Sequence, residues 1–198
     1  IGTPRTKGEN LGSRLKPRLQ VLAQYLMEQL AAAAQASGRP LTAKALRDSL
    51  RACALPAAQF EPALWMELES MAAAAELPVE DILLVHGYGD LLGRHAPLAA
   101  PVRSAFLTLD GGQTANQRPW LVLAWHLDPT LLPYVTLLRR MPAHGPASLA
   151  LTLAGLNPVA GISEADLAVA ANELRVADGS EGQFTGHLVA ACLTAPGL

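Results

Sequence analysis

The segment from Ser104 to Trp125, S-A-F-L-T-L-D-G-G-Q-T-A-N-Q-R-P-W-L-V-L-A-W, narrows the folds open to this chain more than any other stretch. Its first six residues alternate small or polar with bulky apolar, the pattern of a half-buried strand. Asp110-Gly111-Gly112 is a turn signal, because glycine accepts the positive φ that a tight hairpin demands. A second strand from Trp120 to Trp125 then pairs back on the first. Upstream, the sequence is rich in Ala and Leu and reads as helix. Downstream, short apolar runs are separated by Pro, Gly and Asp. Helices followed by strands predict an α+β fold with segregated elements.

Leu15, Leu19, Leu22, Leu26 and Leu30 recur at three- and four-residue steps, which predicts one amphipathic helix from Leu11 to about Ala36. Proline is tolerated in a first turn, so Pro17 moves the expected start toward itself. Ser37-Gly38-Arg39-Pro40 ends this helix. Thr42 is the expected N-cap of a second helix through Cys53, which Pro56 should break. A third runs from about Phe60 to Ala75. Glu80 and Asp81 favour a fourth through the macrodipole, with Gly87 and Gly89 loosening its end. Residues 1–92 form the helical part of a single domain, 93–103 a Pro-punctuated linker, and 104–198 a β-meander with a final helix. Its strands are expected near 104–109, 120–125, 134–140, 148–153 and 167–174, with N-P-V-A-G-I-S at 157–163 as a turn. The closing helix runs from Gln183 to Leu193.

Composition excludes several functions. The net charge is −2, and no basic run exceeds two or three residues, which argues against a nucleic-acid surface. No apolar run approaches the roughly 20 residues of a membrane-spanning helix. Cys53 and Cys192 match no metal spacing; each is expected as a buried free thiol, with a disulfide as the alternative. The histidines are scattered, so neither a metal nor another cofactor is expected. A cytoplasmic location follows, although a chain opening at Ile1 leaves room for a removed leader.

Several segments in fixed order carry a family resemblance: G-T-P-R-T-K-G-E-N-L-G at the start, E-L-E-S-M-A-A-A-A-E-L-P-V-E-D-I-L-L-V-H, S-A-F-L-T-L, L-V-L-A-W-H-L-D-P, and L-T-L-A-G-L-N-P-V-A-G-I-S-E-A-D-L-A-V-A-A-N-E-L-R. From Gly2 to about Leu193 the chain resembles the acyl-coenzyme A:6-aminopenicillanic acid acyltransferase family of N-terminal-nucleophile hydrolases. The resemblance implies an αββα sandwich. It also implies self-cleavage before a cysteine, whose freed α-amine serves as its base. The family cysteine falls at Arg103, or at Val102 if the strand shifts by one, and neither is a nucleophile. The family N-W-D motif falls on Ala124-Trp125-His126, keeping only the tryptophan. Asn172 matches the asparagine that donates to the oxyanion. Family members continue past the segment matching 183–193, which implies here a partial sandwich with a sheet edge to be covered.

Three functions follow. The first is a non-catalytic acyltransferase-like homologue, a binding or partner subunit in a biosynthetic complex, assembling with another chain or itself. The second is a self-cleaving amidohydrolase or acyltransferase with Ser104 as nucleophile and His126 and Asn172 assisting. The third is a pocket protein that holds a small acyl or peptide ligand without turning it over. Arg103, in a former active site, could bind a carboxylate or phosphate. The bland alternatives are a small strand serine, a strand-end histidine, a turn asparagine and a solvated arginine. For the leucine stripe of the first helix, core packing stands against partner recognition through its alanine-rich second half.

Overall fold

The computed structural model describes residues 2–96, 103–108, 118–142, 144–172 and 184–195. The first helix, α1, spans Pro4–Ala36. The Thr3 hydroxyl accepts from the Thr6 amide at its N-cap, and Pro4 fills the first turn, where no amide is needed. Pro17 therefore lies inside α1 and does not start it. The helix runs through it because both sides of the proline are packed. Gly8 and Gly12 lie buried before it, and Leu19, Leu22, Leu26, Leu30 and Ala34 after it. A kink penalty of about 3 kcal/mol is smaller than the cost of unpacking either half. The leucine stripe is thus core.

Helix α2 (Ala43–Phe60) is capped by Thr42, whose hydroxyl accepts from the Ala45 amide. Pro56 lies within it and does not break it; Ala57 beyond the proline is buried as Cys53 before it is. The break comes at Glu61, and α3 spans Pro62–Ala75. A short αL turn at Glu76 leads to α4 (Val79–His86), and Gly87 separates α4 from α5 (Tyr88–His95). Residues 93–95, expected as linker, are helical; 97–102 lie outside the described residues.

Strands β1 (Arg103–Thr108) and β2 (Trp120–Trp125) pair antiparallel, Arg103 opposite Trp125 and Thr108 opposite Trp120. The Asp110-Gly111-Gly112 turn lies outside the described residues. A 3-10 turn at Pro129–Tyr134 leads to a second antiparallel sheet, in the order β3 (Val135–Arg140), β4 (Ser148–Leu153), β5 (Leu156–Ser163), β6 (Leu167–Ala170). The final helix α6 spans Thr185–Thr194. The fold is α+β, helices first and antiparallel strands after.

Strand β5 corrects the expected turn at 157–163. The turn comes earlier, at Ala154-Gly155, where both residues take positive φ (51° and 78°) and close β4 onto β5. Pro158 is tolerated because the ladder breaks there: Leu153 faces Leu156, the next pair is Leu151 with Ala160, and β6 joins only from Ala160. Helix α6 covers one face of this sheet through Val189 and Leu193 against Ala150. One core takes in Leu22 and Leu26 of α1, Leu68 of α3, Ile82 of α4, and Leu153 and Leu156 of the sheet. Cys53 is buried and in no disulfide, as expected; Cys192 is in no disulfide either but is exposed, because α6 turns it away from the sheet.

Candidate functional site

Arg103 and Ser104 open β1. Successive strand side chains point to opposite faces. Arg103 is buried, at 3 % exposure, and Ser104 is exposed. Arg103 lines a cavity of ≈ 200 Å³ with Tyr25 and Gln29 of α1, Tyr88 of α5, Trp125 of β2, Asp128 and Asn157. The position that the resemblance assigns to the nucleophile is therefore a cation in a pocket wall.

Ser104 sits across the strand pair from Ala124. His126 follows the end of β2 and is exposed, and Asn172 lies exposed beyond the end of β6. No hydrogen bond joins any two of the three among the described residues. Trp125 faces the cavity, and its indole Nε1 is buried without a partner there.

The other walls are held by local hydrogen bonds. Asp128 caps the 3-10 turn, accepting from the Thr130 amide (2.9 Å) and hydroxyl (2.7 Å), and from the Tyr25 hydroxyl at 3.2 Å. The Thr130 bonds lead in holding its carboxyl below the usual carboxylate range. Behind Arg103, Asp90 accepts from the Thr185 amide at 3.0 Å and hydroxyl at 2.5 Å. Burial pushes Asp90 up; the Thr185 bonds and the positive field of Arg103 and Arg94 oppose it. Burial also pushes the Tyr88 phenol up, so this ring stays a neutral hydrogen-bonding group. A wall that combines guanidinium, indole N–H, phenol and amide donors beside apolar Leu92 and Leu131 suits a small carboxylate.

Asn157 connects this cavity to a buried histidine pair that the scattered sequence positions hid. Its backbone amide donates to His86 Nδ1 at 3.2 Å. His86 and His187 are each 1 % exposed, their ring centroids 4.4 Å apart, and Phe184 stacks on His187 at 5.8 Å. His86 Nε2 and both nitrogens of His187 have no partner among the described residues. Burial holds His86 well below its ordinary pKa, with His187 and Arg140 adding repulsion, and burial brings His187 down to about 4. Both rings are neutral at pH 7.

The sequence does carry a signal for the pair, the glycine beside each histidine. A Cβ on Gly186 would stand 3.1 Å from His86 Nε2, and one on Gly87 2.5 Å from the Phe184 ring. These glycines let the α4–α5 junction meet the start of α6. Among the described residues no group of three or more His, Cys, Asp and Glu side chains could hold a metal, and no helix is long and apolar enough to cross a membrane. The chain matches no protein-family model and no curated protein at significant similarity.

Proposed function

We propose that this chain is a non-catalytic acyltransferase-like protein, a binding or partner subunit that holds a small carboxylate ligand in the cavity beside Arg103. The observation that carries this reading is the burial of Arg103 in that cavity, at the position where the resemblance puts a cysteine. A guanidinium cannot attack an amide or thioester carbon. It can hold a planar carboxylate through paired N–H donors. The exposure of Ser104 on the opposite face, unbonded to His126 and Asn172, counts against an N-terminal serine nucleophile served by those residues. The family assignment itself rests on the collinear motifs from Gly2 to Leu193.

Two measurements test it. Intact mass of the purified chain after prolonged incubation is expected to be a single species near 20.8 kDa. Fragments split between Arg103 and Ser104 would overturn the non-catalytic reading in favour of a self-cleaving hydrolase. Acetate, phenylacetate and short acyl-glycines are then titrated against amide chemical shifts. Arg103→Gln is expected to abolish binding; carboxylates that bind this variant as tightly as the parent would remove Arg103 from the site.

A further inference from the structure

A second candidate site shares no lining residue with the Arg103 cavity. Lys7 and Arg14 of α1 and Arg139 and Arg140 of β3 surround a cavity of ≈ 320 Å³. The single carboxylate among its walls is Glu67, 5 % exposed, and it is taken by Arg140 at 2.5 Å. No carboxylate stands in ion-pair range of Lys7, Arg14 or Arg139 among the described residues. Four cations less one anion leave a local excess of three in a chain whose net charge is −2. Burial holds the Lys7 ammonium below its ordinary pKa against the pull of Glu67, with Arg140 adding repulsion. An anion placed there would relieve that repulsion.

Lys7, Glu67 and Arg140 also wall an adjoining cavity of ≈ 430 Å³, whose other sides include Pro4, Leu64 and Ala190. The two spaces meet at those three residues, so one end is cationic and the other mainly apolar, with Glu61, His144 and Thr194 also among its walls.

We propose that the joined cavities bind an amphipathic anion, its apolar chain between Pro4, Leu64 and Ala190 and its carboxylate or phosphate head against Lys7, Arg14 and Arg139. An inorganic anion would leave the apolar end in water. A neutral amphiphile would leave the excess positive charge unanswered. The volumes lie in the range of small-molecule sites.

The test is calorimetric titration of the full chain with decyl phosphate below its critical micelle concentration. Decyl maltoside and inorganic phosphate serve as the neutral and headgroup-only controls. Decyl phosphate is expected to bind, and both controls much more weakly. Arg14→Gln with Arg139→Gln, both exposed positions, should weaken it ~10-fold or more and flatten its salt dependence. Ala63→Trp, also at an exposed position lining the apolar end, should block binding without changing charge. Decyl maltoside binding as tightly as decyl phosphate overturns the proposal, as does inorganic phosphate binding as tightly, or decyl phosphate binding unchanged in both variants. Co-sedimentation with phosphatidylglycerol–phosphatidylcholine vesicles then separates the sources. Binding of the monomeric amphiphile alone identifies a soluble ligand, and binding of both identifies a lipid headgroup. Vesicle binding without monomer binding overturns a cavity site.

Discussion

At the scale of single residues, the buried histidine pair ties stability to pH. Both folded-state values lie below the unfolded value of 6.5, that of His187 at about 4. The unfolded chain therefore takes up protons first as the pH falls. The contribution of the pair is full above about pH 6.5 and is lost as the pH drops toward 4, with His187 accounting for up to about 3 kcal/mol of that loss. The thermal midpoint should accordingly fall steeply between pH 6.5 and 4. His187→Phe keeps a ring to stack on Phe184 and removes two unpartnered nitrogens, so it should hold or raise the midpoint at pH 7 and flatten the acid slope. A variant as acid-sensitive as the parent would assign the slope to other groups. In the sequence this pairing shows only as a glycine beside each histidine, Gly87 and Gly186, because His86 and His187 lie 101 positions apart. Of the Ser104, His126 and Asn172 set, the expectation for Asn172 came through a resemblance, and no hydrogen bond joins any two of the three among the described residues.

At the scale of elements, helix contacts depend on backbone approach. A Cβ on Gly12 would stand 2.4 Å from the Met71 carbonyl oxygen, and one on Gly8 2.1 Å from that of Glu67. Both obstacles are α3 backbone, which cannot rotate away. Alanine gains up to about 1 kcal/mol in helix propensity. The clash costs more, typically about 1–3 kcal/mol for an overpacked contact. Gly12→Ala should therefore lower the midpoint of urea unfolding. Gly93→Ala in α5, where a Cβ meets nothing within 4 Å, should leave it unchanged or raise it slightly. Equal effects of the two variants would refute the close α1–α3 contact. The helix stripe, the Thr42 cap and strands β1 to β4 were readable because period and capping are local properties. Pro17, Pro56 and Pro158 misled because local rules price a proline in isolation. Packing on both sides retains the two helical prolines, and a break in the β4–β5 ladder accommodates the third.

At the scale of the whole molecule, the second sheet is covered by α6 on one face, and its other face is mainly apolar, with Arg139 opposite Leu149. Leu137 lies opposite Leu151, Leu149 opposite Ile162, and Ile162 opposite Ala168. Leu137 is 68 % exposed and Ile162 58 %. The β1–β2 pair adds Phe106, Leu107, Trp120 and Val122, all exposed. A two-stranded pair is marginal by itself in water, and apolar surface of this extent drives association. The purified chain should therefore self-associate, its sedimentation coefficient rising with concentration. Leu137→Lys combined with Ile162→Lys should abolish that rise. Both side chains are largely in water already, so the double variant should change unfolding stability by no more than about 1 kcal/mol. A parent chain that sediments as a monomer at every concentration would refute association through this face. If the variant associates as the parent does, the β1–β2 pair is the contact instead. A charged substitution at Phe106 would then produce the monomer.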